Sequence, residues 1–186
     1  MAIPDQQPVL TVAGLWNSGP AHWQTHWEKA HPLWRRVPQR DWDHPERDEW
    51  VAALDAAVRA CPEPPLLLAH SLGCAVVAHW ALTHPPSALG AVLVAPSDVD
   101  APSYPVDAAG FAPMPLQRLP LPTLVVASED DEYLSLERAR QFAAAWGSRL
   151  LLIGRAGHIN GASGYGPWPE GLELVEQFYA EILVPS

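Results

Sequence analysis

Ser71 stands where an apolar run, Leu66-Leu67-Leu68-Ala69-His70, gives way to Leu72-Gly73-Cys74 and a helix-compatible stretch of small residues. The run reads as a strand and the stretch after it as a helix, which puts Ser71 at the apex of a sharp turn. Crowding by the incoming strand and the returning helix demands small side chains two positions before and two after such a serine. Ala69 and Gly73 meet that demand. A helix starting just past the serine aims free N–H groups and the positive end of its dipole at the place where an oxyanion would form. These residue types suit a nucleophilic hydroxyl. A serine that merely caps a βα helix would carry the same letters, so the rest of the chain must supply a base and a carboxylate to orient it.

Both follow in the order serine, acid, histidine, each just beyond a β-rich run. Thr123-Leu124-Val125-Val126-Ala127-Ser128 leads into Glu129-Asp130-Asp131-Glu132-Tyr133-Leu134, and Arg149-Leu150-Leu151-Leu152-Ile153-Gly154 leads into Arg155-Ala156-Gly157-His158. In an open parallel sheet ligands bind at the carboxyl ends of strands, so the three groups converge on one edge despite their separation in sequence. Asp131 is the preferred acid because Glu132-Tyr133-Leu134 follows it as an Asp-x-apolar-apolar turn, with Asp130 the nearest rival. His158, past a strand end and after the small pair Ala156-Gly157, is the expected base.

The elements that must position these groups alternate apolar runs with longer amphipathic ones, a βαβ rhythm that predicts an α/β fold. Strands are expected near Pro8 to Ala13, Leu33 to Pro38, Pro65 to Ala69, Leu89 to Ala95, Thr123 to Ser128 and Arg149 to Ile153. They should form a mostly parallel sheet of about six strands flanked by helices. Glu46 to Cys61 sets Trp50, Val51, Leu54 and Val58 on one helical stripe, and Glu170 to Leu183 does the same with Leu174, Val175, Phe178 and Ile182. Pro96 to Pro122 breaks the rhythm, because its seven prolines interrupt any helical period. A short loop arching over the serine is expected there, a minimal cap from which Tyr104, Phe111 and Met114 could line an acyl pocket. Trp16 and Trp168, on loops, are further candidates to frame the mouth of the site.

The segments His70-Ser71-Leu72-Gly73, Ser128-Glu129-Asp130-Asp131 and Gly157-His158, with Gly14-Leu15-Trp16-Asn17-Ser18 and His22-Trp23-Gln24, spread over most of the chain. In these the chain resembles the small serine hydrolases related to retinoblastoma-binding protein 9 and the bacterial YdeN-type proteins, within the α/β-hydrolase superfamily. The resemblance implies a Ser71, Asp131, His158 triad and an oxyanion hole built from the main-chain N–H groups of Leu15 and Leu72. It also implies cleavage of a small ester, thioester or activated amide through an acyl-enzyme, with peptidase activity open and no cofactor. Ala69 departs from the glycine that many superfamily members carry there and adds one methyl group in a tight place. A hydrolase scaffold that serves as a protein-binding module is the alternative, since fold alone does not establish activity.

Gly14 follows the first strand and would let the backbone pass close to a reacting carbonyl, which suits a second oxyanion donor from this loop. Neither Gly-Lys-Ser/Thr nor Gly-x-Gly-x-x-Gly occurs, so nucleotide binding finds little support. His22 and His26 stand four apart, yet Trp23 occupies the position where a zinc protease needs its glutamate, and no metal is expected.

A formal charge of −10, with eleven Lys and Arg in total, argues against nucleic acid and anionic membrane surfaces as partners. A small-molecule substrate is the expected partner; a protein partner is not indicated. No apolar stretch approaches the roughly 20 residues of a membrane span, and the start of the chain lacks the basic residues of a signal peptide. A cytoplasmic location and one domain over 1–186 are therefore expected, with Cys61 and Cys74 too few for a disulfide framework.

Overall fold

Side chains alternate across a strand, so a strand buried on both faces must be apolar throughout, and four of the strands here are fully buried or nearly so. The computed structural model describes residues 2–85 and 87–184. In chain order the elements are β1 (Val9–Val12), α1 (Trp23–Ala30), β2 (Trp34–Arg36), α2 (Arg47–Arg59), β3 (Leu66–His70), α3 (Leu72–Thr83), β4 (Gly90–Val94), β5 (Thr123–Ala127), α4 (Leu136–Trp146), β6 (Arg149–Leu152) and α5 (Pro169–Ile182). Every strand falls within two residues of its expected span.

The six strands form one sheet in the order β2-β1-β3-β4-β5-β6, and every pairing is parallel. Leu10, Val12, Leu67, Ala69, Ala91, Leu93, Val125 and Ala127 face a core shared with α2, α3 and α4. Val9, Leu66, Leu68, Val92, Val94, Leu124 and Val126 face the opposite core, built with α1 and α5. The chain starts at β1, runs outward to β2, and then returns to β3 on the other side of β1. That reversal lies between β1 and β3, and in such sheets the crevice beyond the carboxyl ends at the reversal is where ligands bind. Ser71 directly follows β3 and the Gly14 loop follows β1.

α3 is apolar nearly all round, and nine of its twelve residues are buried, as a helix enclosed between sheet and α2 requires. Its start needs Gly73. A Cβ there would lie 2.2 Å from the Val12 carbonyl oxygen and 2.9 Å from that of Ala13, both main-chain atoms that cannot swing aside. Gly73→Ala is expected to destabilise the protein by about 3 kcal/mol or more, measured as a lower urea midpoint with an unchanged slope.

The crossover from β4 to β5 contains no helix. Val99, Phe111, Met114, Leu119 and Leu121 from this segment are buried in the α2/α3/α4 core and tack it down. Polar ties do the same: Arg138 of α4 donates to Asp98 at 2.7 and 2.8 Å and to Asp100 at 2.6 Å, and the Trp146 indole donates to the Pro115 carbonyl at 2.8 Å. Ala109 bridges to Glu46 at the start of α2. Prolines forbid the usual helix, and buried side chains hold the segment in its place. Both cysteines are free thiols, Cys74 buried and Cys61 half-buried.

Candidate active site

Ser71 has φ +57° and ψ −125°, a conformation that L-residues rarely adopt and that persists only when the surroundings enforce it. Its N–H donates to the Val94 carbonyl at 3.1 Å, and Gly14 is packed so closely against it that a Cβ on Gly14 would lie 2.7 Å from the Ser71 Cβ.

His158 Nε2 lies 2.9 Å from Ser71 Oγ, and His158 Nδ1 lies 2.9 Å from both carboxylate oxygens of Asp131. The Asp131 side chain is fully buried and His158 is 7 % exposed, so water scarcely competes with these contacts. Asp131 is an acceptor, which places the His158 proton on Nδ1 and leaves Nε2 to accept from Ser71. Ser97 Oγ, 2.8 Å from Ser71 Oγ, is then the donor in its own contact with that atom.

Asp130, the rival acid, has another task. It accepts from the Gly157 N–H at 2.9 Å and from the Ser128 hydroxyl at 2.8 Å, and the Gly157 hydrogen bond holds its carboxyl below the usual carboxylate range. Ser128 Oγ accepts in turn from the Ala156 N–H at 2.9 Å. The two acids thus divide the histidine loop, Asp130 on its backbone and Asp131 on the imidazole.

Leu15 lines the cavity beside Ser71 and Leu72 is the next residue after it, and neither main-chain N–H donates to an acceptor among the described residues. A Cβ on Gly14 would sit 3.1 Å from Leu72 N, so only glycine lets the two segments approach this closely. Arg36 of β2 steadies the first loop by donating to Asn17 Oδ1 at 2.8 Å and to the Ser18 carbonyl at 2.7 Å.

The sequence profile of the serine hydrolase family matches residues 9–177. The chain belongs to the serine hydrolase family. Among solved structures, a YdeN-like hydrolase of Pectobacterium atrosepticum is 37% identical with a TM-score of 0.85, over 97% of this chain and 94% of that one. The ydeN gene product of B. subtilis aligns at 18% identity and TM-score 0.79, over 94% of this chain and 99% of that one. A thermophilic esterase from Thermogutta terrifontis aligns at 16% and 0.71, over 96% and 91%. These last two share the α/β-hydrolase fold. A search of curated proteins finds no match.

In this serine hydrolase the hydroxyl opens into a cavity of about 180 Å³. Trp16, 60 % exposed, and Tyr104 line it. Phe111 and Trp168 do not, which corrects the expectation for both. Phe111 is fully buried and packs edge-on against Trp50, because the crossover segment needs apolar anchors where it has no helix. Met114 is buried with it. Trp168 stacks on Trp27 at 5.7 Å and meets Trp23 edge-on at the same distance. Gly171 permits this, since a Cβ there would fall 2.2 Å from the Trp168 ring. That glycine three residues on was the available signal.

Ser97, Tyr133, His22, His70 and Asn160 also line the cavity, and sequence reasoning assigned none of them to it. Tyr133 lies beside the His158 ring, centroids 4.7 Å apart, and its N–H donates to Asp131 Oδ1 at 2.9 Å. His22 caps α1 by accepting from the Gln24 N–H, a role unrelated to the His22/His26 spacing. Ser97 gave no signal, because its approach depends on the positive φ of Ala95 at the end of β4.

Proposed function

We propose that the protein hydrolyses small esters, thioesters or activated amides through a covalent acyl-enzyme. One observation carries this reading: the unbroken hydrogen-bonded series from Ser71 Oγ through His158 to Asp131 at the floor of an accessible cavity. Ser71 Oγ attacks the carbonyl carbon while its proton passes to His158 Nε2. Collapse of the tetrahedral intermediate returns that proton to the leaving group. Water, deprotonated by the same nitrogen, then releases the acid and restores the serine. Asp131 fixes the tautomer that leaves Nε2 bare and stabilises the imidazolium formed at each step. The Leu15 and Leu72 N–H groups hold the oxyanion, each contributing about 3 kcal/mol of transition-state stabilisation.

The cavity volume, about 180 Å³, is below the roughly 300–1,000 Å³ of sites for drug-sized ligands, which favours short acyl groups. Turnover of p-nitrophenyl acetate and butyrate is expected to exceed that of the decanoate about tenfold or more in kcat/KM. No turnover of any ester in that series, in properly folded protein, would overturn the reading.

A further inference from the structure

Two buried histidines sit behind His158 and take no part in the proton transfers proposed above. His70 ends β3 at 5 % exposure, and His22 caps α1 at 6 %. Their four ring nitrogens make a chain whose direction is fixed from both ends. At one end the Gln24 N–H donates to His22 Nδ1 at 3.2 Å, so that nitrogen presents its lone pair. The His22 proton is therefore on Nε2, which faces His70 Nδ1 at 3.3 Å. At the other end His70 Nε2 lies 2.9 Å from the main-chain oxygen of His158, which can only accept. His70 thus carries its proton on Nε2 and accepts from His22 at Nδ1.

Every donor meets an acceptor in this pair of tautomers alone. A further proton on His22 Nδ1 would oppose the Gln24 N–H, and one on His70 Nδ1 would oppose the His22 N–H. The surroundings favour the neutral rings. Burial, aided by Arg36 of β2 and by His158, pushes His22 down to about 3, and burial, aided by His22 and His158, holds His70 well below the ordinary imidazole value.

The segment that this chain grips is one that needs gripping. Gly157 has φ +55° and the β-branched Ile159 has φ +47°, a conformation costly for such a residue. Trp23 Nε1 donates to the Ile159 carbonyl at 3.0 Å, and His70 holds the carbonyl of the residue between. We propose that His22 and His70 are positioning residues, a one-directional hydrogen-bond chain from the start of α1 to the His158 carbonyl that keeps the His158 imidazole in line with Ser71 Oγ. The proposal rests on the Ser71–His158 chemistry above. His22 lines the cavity, so the chain also ties the substrate-facing wall to the histidine loop.

The test combines spectroscopy on the native protein with kinetics of variants. Long-range 1H–15N spectra of protein labelled with 15N-histidine should find both rings neutral, with Nε2 protonated, from pH 5 to 8. Protonation of either ring in that range, or a proton on Nδ1 of either, overturns the chain whatever the activity. His70→Phe, which keeps a ring without its nitrogens, should lower kcat about 10- to 100-fold with KM nearly unchanged. His70→Gln, whose amide nitrogen can reach the His158 carbonyl, should recover most of the loss. Full kcat in folded His70→Phe, or a Gln variant no better than Phe, overturns the positioning role. If His70→Phe does not fold, His22→Phe leaves the His158 contact in place and should still cost several-fold in kcat; unchanged kcat there overturns the role of the pair. Failure of the native protein to react with a fluorophosphonate would instead sink the hydrolase reading, and the tautomer measurement decides the chain in either case.

Discussion

Ser71→Ala is expected to abolish covalent labelling by a fluorophosphonate probe and to lower ester hydrolysis by about 10⁴-fold or more in kcat. The size of the loss follows from the geometry. His158 Nε2 and the Ser97 hydroxyl both converge on the Ser71 oxygen, at 2.9 and 2.8 Å, and removing that oxygen takes away the nucleophile whose proton the imidazole is placed to accept. The remaining activity comes from whatever the oxyanion donors and binding supply to direct attack by water. Labelling is the sharper readout, because it needs no knowledge of the natural substrate. A probe that still labels Ser71→Ala at Ser97 would identify that hydroxyl as a second nucleophile within reach of the same base, and would remove Ser71 from sole responsibility. The folding cost of the substitution is expected to be small, since alanine keeps the Cβ that the positive-φ turn already accommodates and gives up only the hydroxyl's contacts with His158 and Ser97. An unfolded variant is thus not the expected explanation of lost activity.

The fold was legible because its signals are short-range. Leu66 to Ala69 and Leu124 to Ala127 are apolar at every position and are buried on both faces of a parallel sheet. The stripe Trp50, Val51, Leu54, Val58 is the buried stripe of α2. The residues of the Ser71, His158 and Asp131 array were nameable because each lies within six residues of the carboxyl end of a strand, and those ends gather at one edge. What was hidden depends on how distant segments pack. Phe111 looks from sequence like a pocket residue on a loop over the serine, yet its segment replaces a helix and must bury its apolar side chains to stay attached. Trp168 looks like a loop residue, but it is the left-handed cap of α5 and its ring lies over Gly171. The histidine pair was hidden for another reason. His22 and His70 are 48 positions apart, and their meeting is a product of the β1/β3 neighbourhood, which no local pattern encodes.

Asp131→Asn is expected to lower kcat by about 10³- to 10⁴-fold with KM nearly unchanged, whereas Asp130→Asn should cost less than about tenfold. Adjacent, chemically identical substitutions separate the two acids by their partners. Asp131 Oδ1 accepts the Tyr133 N–H at 2.9 Å, so an asparagine there keeps its oxygen on that donor and turns its NH₂ toward His158 Nδ1. The imidazole must then present a lone pair at Nδ1 and carry its proton on Nε2. In that tautomer it cannot accept the Ser71 proton, and the imidazolium formed by any other route lacks a compensating charge. A loss of 10⁴ corresponds to about 5.4 kcal/mol of transition-state stabilisation, on the scale of one proton acceptor withdrawn from the reaction. At position 130 an asparagine oxygen can still accept from Gly157 N–H, and the Ser128 hydroxyl can keep its other acceptor, the Gly154 carbonyl at 3.3 Å. The histidine loop therefore stays gripped, and the expected readout is a modest fall in thermal midpoint with most activity kept. Equal losses in the two variants would mean that the buried carboxylate acts only by holding the loop, and the assignment of Asp131 to the imidazole proton would fall.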